Sequence, residues 1–178
     1  AGGDVLLKGV KPSDLREPLR ILGRMGARIQ LEEKEGRIRI SMDGVPGAVH
    51  ICTGPYPQFP TDLQSPFMAA LACGQGTSRV EEQVFEARFA AARALRAFGA
   101  RISIREREAV VEGTRPLMGA QVMAPDLRGG AALAVAGLAA EGETRIGNCR
   151  HIERGYEDIC RDLSALGARI RWVKEDGT

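Results

Sequence analysis

A pseudo-symmetric domain of mixed helices and strands, built from three related units, is the fold class this sequence predicts. The first observation behind it is a motif that occurs three times: Met25-Gly26-Ala27-Arg28-Ile29, Phe98-Gly99-Ala100-Arg101-Ile102 and Leu166-Gly167-Ala168-Arg169-Ile170. The copies recur at roughly 65–75 residues, longer than common solenoid repeats and long enough for a small unit of helices and strands. The second is the alternation of residues after each copy. Ile29 and Leu31, Ile102 and Ile104, Ile170 and Trp172 alternate with polar residues, the period of a half-buried strand.

Taken in chain order, Ala1–Leu6 reads as the end of a helix and a short strand. Leu15, Leu19, Leu22 and Met25 then line one side of an amphipathic helix. Pro18 sits early in it and is expected to shift its start or kink it. Lys34-Glu35-Gly36 turns the next strand into Arg37–Ile40. The stretch 43–48 reads as a linker too short to divide domains. Gly54–Pro60, with three prolines, reads as a stiff extended loop delivering Asp62. An apolar helix starts at Asp62-Leu63-Gln64 and ends near Gly74, and its counterpart runs from Asp126-Leu127-Arg128 to Gly142; glycine just beyond a helix supplies a left-handed cap. Short strands come next at Ser78–Val80 and Arg145-Ile146, and a hairpin near Glu106–Glu108 returns into Ala109–Val111. Tyr156, Ile159, Leu163 and Leu166 mark the last amphipathic helix. The first unit lacks its apolar helix and the last stops after Trp172-Val173, so the sequence is expected to be part of a longer protein.

Composition narrows the function. Apolar residues make up 44% and charged residues 27% of 178 positions, as in an ordinary globular domain. A formal charge of +2, scattered basic residues and 4% aromatics argue against a nucleic-acid surface. No apolar run is long enough to span a bilayer. Cys52, Cys73, Cys149 and Cys160 show no metal-ligand spacing and read as reduced core cysteines. No metal or cofactor is expected.

Candidate functional residues lie where the units differ. Asp62 and Asp126 occupy equivalent helix starts. Either carboxylate is a natural N-cap, or one takes a proton from a bound hydroxyl, which requires burial or close substrate contact to offset the helix dipole. Arg88 and Arg154 fall near the starts of second helices, where a cation opposes the macrodipole. They read either as partners of Glu86, Glu153 or Glu157, or as ligands for a phosphate or carboxylate. Phe85 either covers a flat ligand group or staples its helix to the core. Arg128 precedes Gly129-Gly130, a pair that signals close backbone approach. His50 and His151 are assigned no catalytic role.

Four segments carry a resemblance: Phe59–Gln64, Val84–Phe89, Gly119–Arg128 and His151–Glu157. In this order they resemble the UDP-N-acetylglucosamine 1-carboxyvinyltransferases, over essentially the whole chain. The resemblance implies an EPSP synthase-like enolpyruvyl transferase fold: an inside-out α/β barrel, or α-β prism, of βαβαββ repeats, with sheets outside and helices within. Residues 1–178 would form one such domain with its first repeat truncated, the partner domain being absent. The implied reaction moves the enolpyruvyl group of phosphoenolpyruvate to the 3′-hydroxyl of UDP-N-acetylglucosamine in the cytoplasm, beginning peptidoglycan precursor synthesis. By motif matching, Asp62 would bind the sugar and act as base, and Val84 and Phe85 would lie at the nucleotide sugar. Asp126 would support proton transfer and Arg128 would organise nearby charge. Arg154 would hold the phosphoenolpyruvate carboxylate, and Arg88 would help form an anion-binding cleft between domains.

Two departures accompany the resemblance. Ala87 stands where the family often has Asn, and neither the family's loop cysteine nor its N-terminal lysine has a counterpart here. The chain alone is therefore expected to be inactive. The alternatives are 3-phosphoshikimate 1-carboxyvinyltransferase activity and a non-catalytic module of the same fold.

Overall fold

Two helices of unusual composition set the architecture. Gln64–Ala72 (α2) and Leu127–Ala139 (α4) are apolar on nearly every side, which a helix tolerates only when neighbours surround it. In a computed structural model that describes residues 2–86 and 88–173, these two helices pack against each other at the centre. Met68, Ala69, Ala72, Ala132, Leu133 and Ala136 are buried there. The Gly- and Ala-rich composition of α4 lets the backbones approach closely. Arg16–Arg24 (α1), Ala90–Leu95 (α3), Arg150–Glu153 (α5) and Ile159–Ala165 (α6) complete the helices among the described residues.

The sheets lie outside this helical centre, and their order repeats. Gly3–Lys8 (β1), Arg28–Glu32 (β2) and Arg37–Met42 (β3) pair in the antiparallel order β1-β3-β2. His50–Cys52 (β4), Thr77–Glu81 (β5), Arg101–Arg105 (β6) and Glu108–Glu112 (β7) form the order β4-β5-β7-β6. The last three of these strands reproduce the first sheet, and β4 adds a parallel edge. Gln121–Met123 (β8) and Arg145–Gly147 (β9) are again a parallel pair bridged by a helix. The middle unit thus reads β4-α2-β5-α3-β6-β7, a full βαβαββ repeat, flanked by portions of the same pattern. Each sheet alternates a core face with a solvent face: Ser78, Val80, Ile102, Ala109 and Val111 point inward, while Arg79 and Glu108 pair across the outer surface at 3.5 Å.

Several sequence expectations are corrected. Pro18 neither kinks nor delays α1. A 3₁₀ turn at Pro12–Leu15 precedes the helix, placing Pro18 in its first turn, where the missing N–H needs no partner. Ile21, at 1% exposure, is a core anchor of that helix that the periodic reading omitted. The segment 54–60 is folded back rather than extended: Gly54 N donates to the Phe59 carbonyl at 3.0 Å, and Phe59 is buried edge-on against Phe67, 4.9 Å between centroids. Ile170 and Trp172 do not form a strand. Alternation alone cannot make one without a neighbour to accept the backbone hydrogen bonds, and Trp172 Nε1 donates instead to Asp158 at 3.1 Å. Leu166 is exposed. Ala87 lies outside the described residues. No described helix is long and apolar enough to cross a membrane.

The linker at 43–48 is a structural joint. Gly47 N donates to the Met25 carbonyl and Gln75 N to that of Pro46, stitching the end of α1 to the end of α2. A second joint comes after β7, where Gly113 lies against the backbone of Gly74. A Cβ on Gly113 would sit 2.5 Å from the Gly74 carbonyl carbon and 2.7 Å from Gln75 N. Backbone on both sides cannot yield without moving the α2 terminus. Gly113→Ala is therefore expected to cost about 3 kcal/mol, read as a lowered urea midpoint. Unchanged stability would show that this joint is loose.

Candidate active site

The two aspartates that sequence alone leaves equivalent have different surroundings. Asp126 is extended (φ −161°, ψ −177°) and caps α4, its Oδ1 accepting from Gly129 N at 2.7 Å. Asp62 lies inside the 3₁₀ turn Thr61–Leu63 that opens α2, and its carboxylate makes no capping bond. The turn and the extended Pro60 before it organise the helix start through the backbone, which leaves the Asp62 side chain available.

It is taken up by two guanidinium groups. Arg88 Nη2 donates to Asp62 Oδ1 at 2.8 Å and Arg128 Nη2 donates to Oδ2 at 2.6 Å. Arg88 stands just ahead of α3, and Arg128 occupies the first turn of α4. Three helix entrances from two units therefore meet at one carboxylate. Charge-assisted bonds of this kind are short and orienting. The cluster is open to solvent, with Asp62 about half exposed at 50% and the arginines at 25% and 31%. The Arg88 guanidinium also lies 4.7 Å from the centre of the Phe85 ring, a cation–π distance. Phe85 and Val84 are exposed, whereas Phe89 is buried; Phe89, not Phe85, fastens this segment to the core. Glu86 does not hold Arg88. It faces Arg107 at 3.8 Å.

The bond from Arg128, reinforced by that from Arg88, outweighs partial burial and holds the Asp62 carboxyl below the usual carboxylate range. A depressed carboxylate contributes stability above its ordinary pKa and loses it as pH falls through the lower folded value. At this exposure solvent screens most of that contribution. A carboxyl NMR titration is expected to place the Asp62 midpoint below that of a free aspartate; an ordinary midpoint would show the arginines disengaged.

Arg154 differs from its sequence expectation. It caps the C-terminus of α5 rather than opening a helix, because a short helical turn at 150–153 ends before α6 begins with its own cap, Asp158 Oδ1 accepting from Arg161 N at 3.0 Å. A cation there suits the helix dipole. Its segment still borders the cluster. Gly155 packs on Leu127, and Gly130 leaves only enough space for Ile152, whose Cγ1 would be 2.5 Å from an added Cβ. Gly130 thus accommodates α5, whereas Gly129 makes room for Pro125, 2.6 Å from where its Cβ would lie. The Arg154 side chain makes no hydrogen bond or ion pair among the described residues. His50 pairs with Glu81 at 2.8 Å on the outer face, and no disulfide joins the four cysteines among the described residues.

Thr61 and Glu82 were missed in the sequence. Thr61 Oγ1 accepts from Arg88 Nη1 at 2.9 Å and donates to Glu82 Oε2 at 2.8 Å. Glu82 is completely buried. One signal could have found it: Ser78, Val80 and Glu82 share the inward period of β5, so a charge occupies a core position.

Comparison with known proteins identifies the family to which this fold belongs. Residues 1–163 match the family model described as EPSP synthase (3-phosphoshikimate 1-carboxyvinyltransferase). A UDP-N-acetylglucosamine 1-carboxyvinyltransferase of Desulfofundulus thermocisternus is 51% identical over 94% of the chain and 68% of its own length. One from Gluconobacter oxydans is 44% identical over 98% of the chain, which spans 41% of that relative. Among solved structures, the enolpyruvyl transferase NikO from Streptomyces tendae superposes with a TM-score of 0.84 at 29% identity, over 94% of this chain and 40% of that one. An EPSP synthase from Acinetobacter baumannii shares the fold at a TM-score of 0.65 and 21% identity, over 86% of this chain and 38% of that one. The chain belongs to the EPSP synthase family of enolpyruvyl transferases, and these two relatives by sequence are UDP-N-acetylglucosamine 1-carboxyvinyltransferases.

Proposed function

We propose that this chain forms one domain of an enzyme that transfers the enolpyruvyl group of phosphoenolpyruvate to the 3′-hydroxyl of UDP-N-acetylglucosamine, releasing phosphate. The observation that carries it is the Asp62 carboxylate held between Arg88 and Arg128 at the entrances of packed helices. Addition of a hydroxyl to an enol phosphate and loss of phosphate need a proton acceptor at the attacking oxygen. They also need fixed cations where negative charge gathers. Asp62 supplies the first. As it stands it is a poor base, since two guanidiniums stabilise its charged form. An anionic substrate corrects this by competing for the arginines, so that the base is released only when the phosphate-bearing partner is in place.

Asp126, fixed as a helix cap, anchors the start of α4 that carries Arg128 and so supports proton transfer by keeping that guanidinium at Asp62. Arg154, whose side chain has no internal partner among the described residues, is available for the substrate carboxylate. Val84 and Phe85 are exposed beside Arg88 and offer a surface for the nucleotide sugar. The backbone N–H of Val84 is already committed to Glu82 at 2.9 Å, which leaves its carbonyl for that contact. We assign the acid and the phosphoenolpyruvate-binding lysine that the resemblance implies to the length of these relatives outside the match. The reaction belongs to the cytoplasmic assembly of cell-wall precursors.

The test is phosphate release from phosphoenolpyruvate with UDP-N-acetylglucosamine or shikimate 3-phosphate as acceptor. It is run with the chain alone and with the unmatched part of the Gluconobacter relative added. Release is expected with the sugar nucleotide and only in the supplemented reaction. Release with shikimate 3-phosphate instead would favour the reaction in the family description, and full activity of the chain alone would refute the division of residues proposed here.

A further inference from the structure

We propose that Glu82 is a positioning residue for this site: through the hydroxyl of Thr61 it fixes the guanidinium of Arg88 on Asp62. The inference rests on the reading of Asp62 and Arg88 as catalytic groups and adds the residue that holds them.

Glu82 is fully buried with no cation against it among the described residues. It accepts from five groups instead. Thr53 Oγ1, Val84 N and Phe85 N donate to Oε1 at 2.9, 2.9 and 3.1 Å. Thr61 Oγ1 and Gln64 Nε2 donate to Oε2 at 2.8 and 3.0 Å. Every partner is a donor, the pattern of an ionised carboxylate. A buried charge is costly unless its hydrogen bonds are met, and these five meet it while gathering three chain segments. They are the end of β4, the entrance of α2 and the turn that carries Val84 and Phe85.

The consequence lies in the direction of one proton. Thr61 has a single hydroxyl hydrogen, and Glu82 claims it. The Thr61 oxygen is thereby left as an acceptor toward Arg88 Nη1 at 2.9 Å, and Arg88 Nη2 is aimed at Asp62. A neutral amide at position 82 breaks this order. It must place its NH₂ either among the three donors at the Oε1 position or against two at the Oε2 position. The second conflict is smaller. There the NH₂ donates to Thr61 and turns the hydroxyl proton toward the guanidinium, which has only donors to offer.

The experiment tracks the guanidinium nitrogen NMR signals of Arg88, assigned with Arg88→Lys, in the folded chain. Separate, slowly exchanging Nη signals are expected in the unsubstituted chain and in Thr61→Ser. Merged signals are expected in Glu82→Gln and Thr61→Val. Thr53→Val, which removes a donor from the other oxygen, is expected to lower stability and leave Arg88 unchanged; a purely structural role would make it behave like Glu82→Gln. If Glu82→Gln does not fold, Glu82→Asp, which keeps the charge but withdraws it from Thr61, takes its place. Phosphoenolpyruvate affinity in the supplemented enzyme is expected to weaken about tenfold in Thr61→Val and Glu82→Gln, because the guanidinium that must exchange Asp62 for the substrate anion is then no longer held in place by Thr61 and loses about one charged hydrogen bond to it. Unchanged Arg88 signals in the Glu82 variant would overturn the proposal whether or not ligands bind. Merged signals in a protein that binds neither substrate would uphold the link while removing the functional reading.

Discussion

Asp62→Asn is expected to lower turnover of the supplemented enzyme by about 10³-fold, within the range for loss of a general base, while the protein remains folded. The carboxamide keeps the shape of the carboxylate but cannot take a proton. It also fails as an anchor. Its oxygen can accept from one of Arg88 and Arg128, and its NH₂ then faces the other, where Asp62 now accepts from both at 2.8 and 2.6 Å. Stability is expected to change little, because a half-exposed ion pair contributes only about 0–1 kcal/mol. Asp62→Glu separates the two roles. A longer carboxylate keeps the charge and the proton chemistry but misplaces both, so an intermediate rate is expected. Turnover of Asp62→Asn within about threefold of the unsubstituted enzyme, too small a loss for a general base, would remove Asp62 from that role.

The largest expected loss of stability comes from Glu82→Leu, about 4 kcal/mol. Leucine is similar in volume and suits a buried position by every compositional rule. It leaves Thr53, Thr61, Gln64 and the backbone N–H groups of Val84 and Phe85 without their acceptor. Each unpaired buried donor costs about 1–3 kcal/mol, and local rearrangement or water entry recovers part of the sum. Urea unfolding with an unchanged slope and a lower midpoint is the expected result. A loss under about 1 kcal/mol would mean that water replaces the carboxylate at little cost, and that the three segments around it are held by other contacts.

Much of the scaffold was legible because it is periodic. The three Gly-Ala-Arg-Ile copies each end a helix or helical turn, with positive φ at Gly26, Gly99 and Gly167. The strands after the first two copies pair as hairpins at the turns read from sequence. The three-residue strands β4 and β8 were not seen in the periodicity. They are too short to show a period, and parallel pairing with β5 and β9 makes them strands. The strand read at Ile170 and Trp172 failed for the converse reason, a period with no partner among the described residues. Gly129-Gly130 correctly announced a close approach, but its objects belong to the same chain: Pro125 at Gly129 and Ile152 at Gly130.

The candidate site divides in the same way. Sequence alone marked Asp62, Asp126, Arg88 and Arg154, because charges at helix entrances conflict with or exploit the backbone dipole and can be seen in one dimension; Arg128 stood out only for the two glycines after it, and its charge role came from the resemblance. It also showed that α2 and α4 are apolar along their length; that they pack on each other at the centre, the helices-within arrangement the resemblance implied, came from the structure. Only the tertiary structure decided that Asp126 caps its helix while Asp62 joins two arginines, that Arg154 closes a turn, and that a buried Glu82 stands behind Thr61. Those outcomes depend on which donors lie within about 3 Å of an oxygen, and chain folding over dozens of residues sets such distances where local composition does not.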